Sequence, residues 1–146
     1  MLIPRRVLIA SGRFGVEQPA ARVSDCIARG LQAGGQPAPD LCPLPAEDRD
    51  AQATARMLDA VGFDSRMRSS RAVIVAVERL DERTLIASPT FEIATRARQS
   101  GVPAYAVTAS NLLDAFDARV LDLQLILEAR SARALSAAGR KLAKLL

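Results

Sequence analysis

The sequence predicts a doubly wound α/β fold, in which a mainly parallel sheet of about five strands lies between two layers of helices. Two observations support this prediction. Apolar runs of strand length alternate with segments in which apolar residues recur at helical spacing, which is typical of βαβ units. The run at residues 72–77 is apolar throughout, as expected of a central strand that is buried on both faces.

The first half of the chain starts with a strand at residues 7–10. Pro19 suits the first position of the helix that follows, and Gly34 and Gly35 end that helix. A short strand at residues 40–44 has prolines on both sides, which favours an edge position. Two further helices are predicted in this half, at residues 51–61 and 63–67.

The second half follows the central strand with a loop and a helix at residues 91–100, which Gly101 and Pro103 end. Residues 104–107 form the predicted fourth strand. Ser131 is a candidate N-cap for the last helix, with Leu135, Ala138, Leu142 and Leu145 packing on the sheet. Between them the pattern predicts a short helix at residues 112–116 and a fifth strand near the sheet edge at residues 121–127.

The length and composition are those of one globular domain covering residues 1–146. With 49% hydrophobic and 25% charged residues, the chain can bury a core without disulfides or metals. No apolar stretch reaches the ~20 residues of a spanning helix, so no membrane association is expected. The start of the chain lacks the apolar region and cleavage site of a signal peptide, and we interpret it as a strand of a cytoplasmic protein.

The residue types present restrict the chemistry. There is no histidine, which excludes serine–histidine, cysteine–histidine and histidine–metal sites. Cys26 and Cys42 belong to no metal-binding motif and are interpreted as buried thiols in a reducing compartment. The net charge of +4 comes from scattered arginines, and aromatic residues are only 3%, so the pattern does not favour nucleic-acid binding.

Ligands of open parallel sheets bind beyond the carboxyl ends of the strands, where three loops of this chain are expected. The first is SGRFG at residues 11–15. Its Ser11, Gly12 and Arg13 are candidates for binding a phosphate or an organic acid at the start of the following helix. An ordinary strand-to-helix turn also explains this pattern, because the spacing of known phosphate-binding motifs is missing.

The other two loops carry the acidic side chains. The second is PLPAEDRD at residues 43–50, and the third is VERLDERT at residues 77–84. In the third, Glu78 and Asp81 are candidate catalytic residues, with Asp81 also a candidate Mg²⁺ ligand and Arg79 a candidate phosphate ligand. A solvated charged loop is the alternative interpretation.

Two long segments resemble the type I glycerate kinase family. SRAVIVAVERLDERTLIASPTFEIATRARQSGVPAYAVTAS, at residues 70–110, resembles the family's segment ADLVITGEGRLDxQTxxGKxPxxVAxxAKxxGxPVIAxAG. VLIASGRFGVEQPAARVSDCIARGL, at residues 7–31, is similar to the family's opening segment VIAPDSFKGSLSAxEVAxAIxxGL. The resemblance implies the family's Rossmann-like domain, ATP and Mg²⁺ as cofactors, and D-glycerate as substrate. It also adds Thr84, which matches a family position, to the candidate ligand-binding residues.

The departures from the family pattern are as informative as the matches. The family's large inserted domain is missing, with the seam at residues 60–63. Gly12 and Gly15 stand at the family's Asp and Lys positions, and the family's GEG becomes Ala76, Val77 and Glu78. Positions that maintain the fold are therefore kept better than positions that would contact a phosphate.

Three functions remain open. The first is a domain that has lost kinase activity and serves as a ligand-binding or assembly module. The second is an ATP-dependent kinase for glycerate or a similar small hydroxy acid, whose site is completed by a homodimer partner or a separately encoded domain, since a single open crest cannot enclose a substrate. The third is a sensor that binds a nucleotide or a small organic acid without reaction.

Overall fold

Three apolar runs of the sequence form the centre of one parallel sheet. The computed structural model describes residues 5–45, 51–86 and 88–146. The strands are β1 (Val7–Ser11), β2 (Asp40–Pro43), β3 (Ala72–Leu80), β4 (Ala104–Asn111) and β5 (Ile126–Glu128), in the sheet order β2-β1-β3-β4-β5. The predicted doubly wound α/β fold, with β3 central and β2 at an edge, is confirmed.

Helices cover both faces of this sheet. They are α1 (Ala20–Ala33), α2 (Ala51–Ala60), α3 (Phe63–Arg68), α4 (Pro89–Gln99), α5 (Ala115–Leu121) and α6 (Ala132–Ala143), with a 3-10 turn at Glu82–Leu85. Successive strand residues point to opposite faces. Thus Ile9 and Ile74 pack with α1 and α6, whereas Leu8 and Val73 pack with α2, α3 and α4. This division explains why the central strands are apolar throughout.

The α1–α6 pair, here called the glycine layer, packs backbone against backbone. A Cβ atom on Gly30 would overlap the carbonyl oxygen of Ser136, and one on Gly139 would overlap that of Ile27. At the end of α1, a Cβ on Gly34 would collide with the side chain of Ala143. The two helices can approach this closely only because those positions carry no side chain.

The helices α2, α3 and α4 on the opposite face, here called the ion-pair layer, are connected by long polar side chains. Arg96 of α4 bonds to Glu92 on its own helix, to Asp59 of α2 at 2.9 Å and to Asp64 of α3 at 3.0 Å. Arg66 of α3 holds both carboxylate oxygens of Asp40 in β2, at 2.7 and 3.0 Å. Each guanidinium thus connects separate elements through charge-assisted hydrogen bonds.

The two central strands are longer than predicted. The structure places Glu78, Arg79 and Leu80 in β3 instead of in a loop, because Arg79 pairs with Ser110 and Leu80 with Asn111 across to β4. Leu80 is completely buried, which fixes the end of the strand. β3 and β4 therefore extend beyond the last paired residue of β1, which is Ser11 opposite Ala76.

The predictions for residues 112–127 and for Leu145 were wrong in part. The helix begins at Ala115, after the N-cap Asp114, and continues to Leu121, so residues 121–125 do not form a strand. Asp122 ends that helix in the left-handed conformation, with φ 53°, which breaks the alternation that the leucines suggested. Leu145 is 54% exposed because α6 ends at Ala143 and does not bring it to the sheet.

The remaining expectations concern termini, thiols and membranes. Ser131 caps α6 by accepting the Ala134 N–H at 3.1 Å, as predicted.

Cys26 and Cys42 are free and buried, and burial raises the pKa of the Cys42 thiol above its ordinary value, so that thiol stays neutral at pH 7. Within the part of the chain that the structure describes, none of the helices has the length and apolar character needed to span a bilayer.

Candidate functional site

The order β2-β1-β3-β4-β5 creates a topological switch point between β1 and β3. The chain leaves β1 towards one edge of the sheet and leaves β3 towards the other, so the loops that follow these strands separate and form a crevice. The first predicted loop follows β1, and the third begins in the extended end of β3. The two come together where the Gly12 N–H donates to the Ala76 carbonyl at 2.8 Å.

The first loop uses its hydroxyl to close the turn. Ser11 is completely buried, and its Oγ donates to the Ala20 carbonyl at 3.0 Å, which fixes the end of β1 to the start of α1. Gly12 is half-buried, and Arg13 is exposed. Of these three predicted ligand-binding residues, only Arg13 presents a polar side chain to solvent.

Glu78 reaches over the first loop. Its Oε1 lies 3.7 Å from the place a Cβ would occupy on Gly15, whose φ is +65°. The structure therefore brings Gly12, Gly15 and Glu78 close together at the start of this crevice. A carboxylate at this place repels a phosphate group that would approach the loop.

Asp81 and Thr84 form a capping box for the 3-10 turn. Asp81 Oδ1 accepts the Arg83 N–H at 2.9 Å, and the Asp81 N–H donates to Thr84 Oγ1 at 3.0 Å. Thr84 is buried. The two predicted site residues thus hold their own turn together, a structural role that explains their pairing without a ligand.

The other predicted ligands around Asp81 are loosely placed. Arg79 Nε lies 3.7 Å from Asp81 Oδ2 in a pair that is open to solvent, and such pairs contribute little. Among the described residues, no three carboxylates or cysteines gather into a metal site around Asp81. With Glu78 over the loop and Asp81 occupied in the cap, these residues fit a magnesium–nucleotide poorly.

Only the start of the second loop can be placed. The Leu44 N–H donates to the Ser11 carbonyl at 2.8 Å, so this loop leaves the sheet beside the first one. Its acidic residues Glu47, Asp48 and Asp50 lie outside the described residues.

A feature that the sequence reasoning missed is the exposure of large apolar side chains at this end of the sheet. Four of them follow β1, β3 or β4 and are between 58% and 97% exposed: Val16, Ile86, Leu112 and Phe116, here called the carboxyl-edge residues. The 3-10 turn before Ile86 packs against α5, which carries Phe116. Their signal in the sequence is that each is a large apolar residue next to loop residues, outside the periodic pattern of the helices.

Charges of both signs surround these apolar residues. Asp114 and Asp117 flank Phe116, and Glu82 lies in the adjoining turn. The 3-10 turn that carries Glu82 packs against α5, which carries Asp117. Desolvation, together with the negative charges of Asp114 and Glu82, raises the pKa of the Asp117 carboxyl. Arg79 and Arg83 supply positive charge nearby in the chain.

Grooves occur elsewhere on the molecule. Two shallow grooves, of about 430 and 360 Å³, both run along α1 and are lined by residues of the helices and of the β2 region. Neither includes Glu78, Asp81 or any of the carboxyl-edge residues. These two grooves are therefore separate from the predicted site.

Comparison with known proteins supports the fold alone. No protein-family model matches the chain, and no curated protein matches it. The chain is similar to a de novo designed Rossmann 2x3 fold protein, with a TM-score of 0.54, 11% identity, and coverage of 97% of this chain and 91% of that one. An oxidoreductase from Corynebacterium diphtheriae gives a TM-score of 0.48 at 12% identity, covering 97% of this chain and 96% of its own. The chain has a Rossmann-like α/β fold.

Proposed function

We propose that this chain is a glycerate-kinase-like domain without kinase activity, which serves in the cytosol as an assembly module. Its carboxyl edge associates with a second copy of the chain. The observation that carries this proposal is the exposure of Val16, Ile86, Leu112 and Phe116 at the end of the sheet where the related kinases would hold their substrate. The 3-10 turn before Ile86 packs against α5, which carries Phe116, and neighbouring exposed apolar side chains are typical of interaction surfaces.

The crevice residues support the absence of phosphoryl transfer. That reaction depends on positioned cations and metal-held phosphates, and losing one well-placed cation costs on the order of 10³-fold in rate. Here Glu78 puts a negative charge over the first loop, and Asp81 is engaged with the Arg83 N–H. The Ser11 hydroxyl is committed to the Ala20 carbonyl. Ser11 and Asp81 thus have structural partners and Glu78 has the wrong charge for a phosphate, which leaves Arg13 as the exposed cation of the first loop.

The distribution of charge favours a second copy over an unrelated partner. Glu82, Asp114 and Asp117 form an acidic region, while Arg79 and Arg83 lie a few residues away in the chain. In a two-fold symmetric dimer the same surface meets itself, and a surface that carries charges of both signs can pair acids of one protomer with arginines of the other. Fully burying each large apolar side chain contributes about 1.5–3 kcal/mol before the cost of association.

The oligomeric state in solution tests this proposal. We expect sedimentation equilibrium to show a dimer for the natural chain, and a monomer for the Ile86→Ser and Phe116→Ser variants. Leu145→Ser is the matched control, since Leu145 is also exposed but lies beyond α6, and it should leave the dimer intact. A strict monomer at tens of micromolar natural chain would overturn the assembly proposal.

An activity assay and a ligand screen test the claim that the chain lacks kinase activity. Purified protein with ATP, Mg²⁺ and D-glycerate should give no phosphorylated product. Product formation that an Asp81→Asn variant lacks would instead favour a kinase completed across the dimer. A thermal shift with nucleotides or glycerate would favour a sensor, since a ligand at 100 times its Kd adds about 2.7 kcal/mol of stability.

A further inference from the structure

The groove between α1 and α6 carries an unusual set of side chains. About 430 Å³ in volume, it is lined by Cys26 and Arg29 of α1 and by Ala132, Arg133, Ser136, Ala137 and Arg140 of α6. That volume lies within the range of small-molecule sites. The groove lies along α1 and α6, the two helices of the glycine layer, and no carboxyl-edge residue lines this groove.

Within the part of the chain that the structure describes, the three arginines of this groove form no ion pair. The ion pairs among the described residues involve Arg66, Arg79 and Arg96, and none involves Arg29, Arg133 or Arg140. Three like charges on one groove repel each other, and an anion bound between them relieves that repulsion. The groove therefore has an electrostatic preference for a negatively charged ligand.

The fold places these arginines along one groove. Arg133, Ser136, Ala137 and Arg140 follow one another at spacings of three and four residues, which places them on one side of α6. Arg29 faces them from α1, because contacts at Gly30 and Gly139 bring the two helix backbones together. Arg133 and Arg140 are seven positions apart, which corresponds to about 10.5 Å between their Cα atoms along the helix axis.

Three cationic side chains along one groove favour a ligand with several negative charges. Guanidinium groups bind phosphate oxygens in pairs through their planar fork. The Ser136 hydroxyl adds a donor, and the small side chains of Ala132 and Ala137 leave apolar surface for an organic group. We infer that this groove binds a small organic molecule that carries two or three linked phosphates, such as a nucleoside diphosphate or triphosphate.

Calorimetric titration at 0.15 M NaCl, without Mg²⁺, tests the inference with inorganic tripolyphosphate, ATP and adenosine as probes. We expect saturable binding of tripolyphosphate and ATP and none of adenosine. Arg133→Gln and Arg140→Gln should each lower the affinity about ten-fold, as expected for loss of a charge-assisted hydrogen bond. Arg133→Lys should lose less, because it keeps the charge but not the fork.

Arg119→Gln is the matched control, because Arg119 is an exposed, unpaired arginine on α5, away from the groove. It should bind both probes as the natural chain does. If it weakens binding as much as the groove variants, or if binding is absent at 0.15 M NaCl, the inference is overturned. Displacement of tripolyphosphate by lower concentrations of a DNA or RNA duplex would overturn it in favour of a nucleic-acid surface.

Cys26 provides a second readout within the same groove. It is 8% exposed and lines the groove, whereas Cys42 is 1% exposed and lies on the other side of the sheet. Saturating tripolyphosphate should slow alkylation of Cys26 several-fold and leave Cys42 unchanged. Equal rates with and without the probe would contradict binding in this groove, whatever the oligomeric state of the chain.

Discussion

The two helix layers of this protein are attached to the same sheet by different means. In the glycine layer, Gly30 and Gly139 allow α1 and α6 to pack with their backbones in contact. In the ion-pair layer, the arginines Arg66 and Arg96 connect α3 and α4 to neighbouring elements through carboxylates. The first arrangement tolerates almost no change of shape, whereas the second consists of flexible side chains that solvent can partly replace.

This difference changes how the many arginines should be interpreted. Arg66 and Arg96 are structural, since each bonds to carboxylates on other elements. The arginines along the outer groove, Arg29, Arg133 and Arg140, have no such carboxylate partner among the described residues. The net positive charge of the chain thus divides into a part that holds the fold and a part that is available at the surface.

The largest loss of stability is expected when one methyl group is added to the glycine layer. In Gly30→Ala, the new Cβ overlaps the Ser136 carbonyl, so α1 and α6 must separate. Overpacking outweighs the gain in helix propensity, and we expect unfolding by urea to show a loss of about 2 kcal/mol.

Gly12→Ala is the control for that variant, because a Cβ there lies 3.8 Å from the Ala76 carbonyl oxygen, an ordinary contact. It should change the free energy of unfolding by less than about 0.5 kcal/mol. If Gly30→Ala is as stable as the natural chain, the two helices have room to move apart and the description of this layer as rigid is wrong.

A smaller effect is expected when the hub of the ion-pair layer is removed. Arg96→Met keeps the apolar part of the side chain, which is 13% exposed, but leaves Asp59, Asp64 and Glu92 without a cation. Because these carboxylates are partly solvated, we expect a loss of about 1 kcal/mol in low salt. The loss should shrink in 1 M NaCl, where charges are screened.

Arg98→Met on the same helix provides the reference for this measurement. Arg98 is exposed and reaches only the Val120 carbonyl, at 3.5 Å. Its removal should leave the urea midpoint nearly unchanged in both salt conditions. A salt-independent loss in Arg96→Met would mean that the layer depends on packing of the side chain and not on its charge.

The parts of the fold that the sequence predicted are those with a local signal. Continuous apolar runs located β1 and β3, and the prolines around residues 40–44 marked an edge strand. The extension of β3 through Arg79 was missed because it depends on pairing with Ser110, a contact that is remote in the chain. The start of α5 was missed because its cap, Asp114, lies among residues that also suit a loop.

The candidate site was predicted in position more than in role. The sequence placed the loops that carry Gly12 and Glu78 at the carboxyl ends of the strands, and the structure shows how close these two residues come. The sequence could not show that the Ser11 hydroxyl donates to the Ala20 carbonyl, because this hydrogen bond depends on how the loop turns back on β1. The exposure of Ile86 and Phe116 likewise follows only from tertiary packing.

The smallest change in stability is expected at Asp81. Like the acids of the ion-pair layer, Asp81 holds its neighbours through its carboxylate, here by accepting the Arg83 N–H in the candidate site. Asp81→Ala removes the acceptor of the Arg83 N–H, and loss of such a cap costs about 1 kcal/mol or less in a short, partly exposed turn. Asp81→Asn keeps an acceptor oxygen and should retain most of that stability, while removing the charge that a metal would need. Hydrogen exchange of the Arg83 amide should therefore accelerate in the alanine variant and not in the asparagine variant. Equal acceleration in both would show that the carboxylate charge, and not the cap, is what this residue contributes, and it would restore Asp81 as a candidate metal ligand.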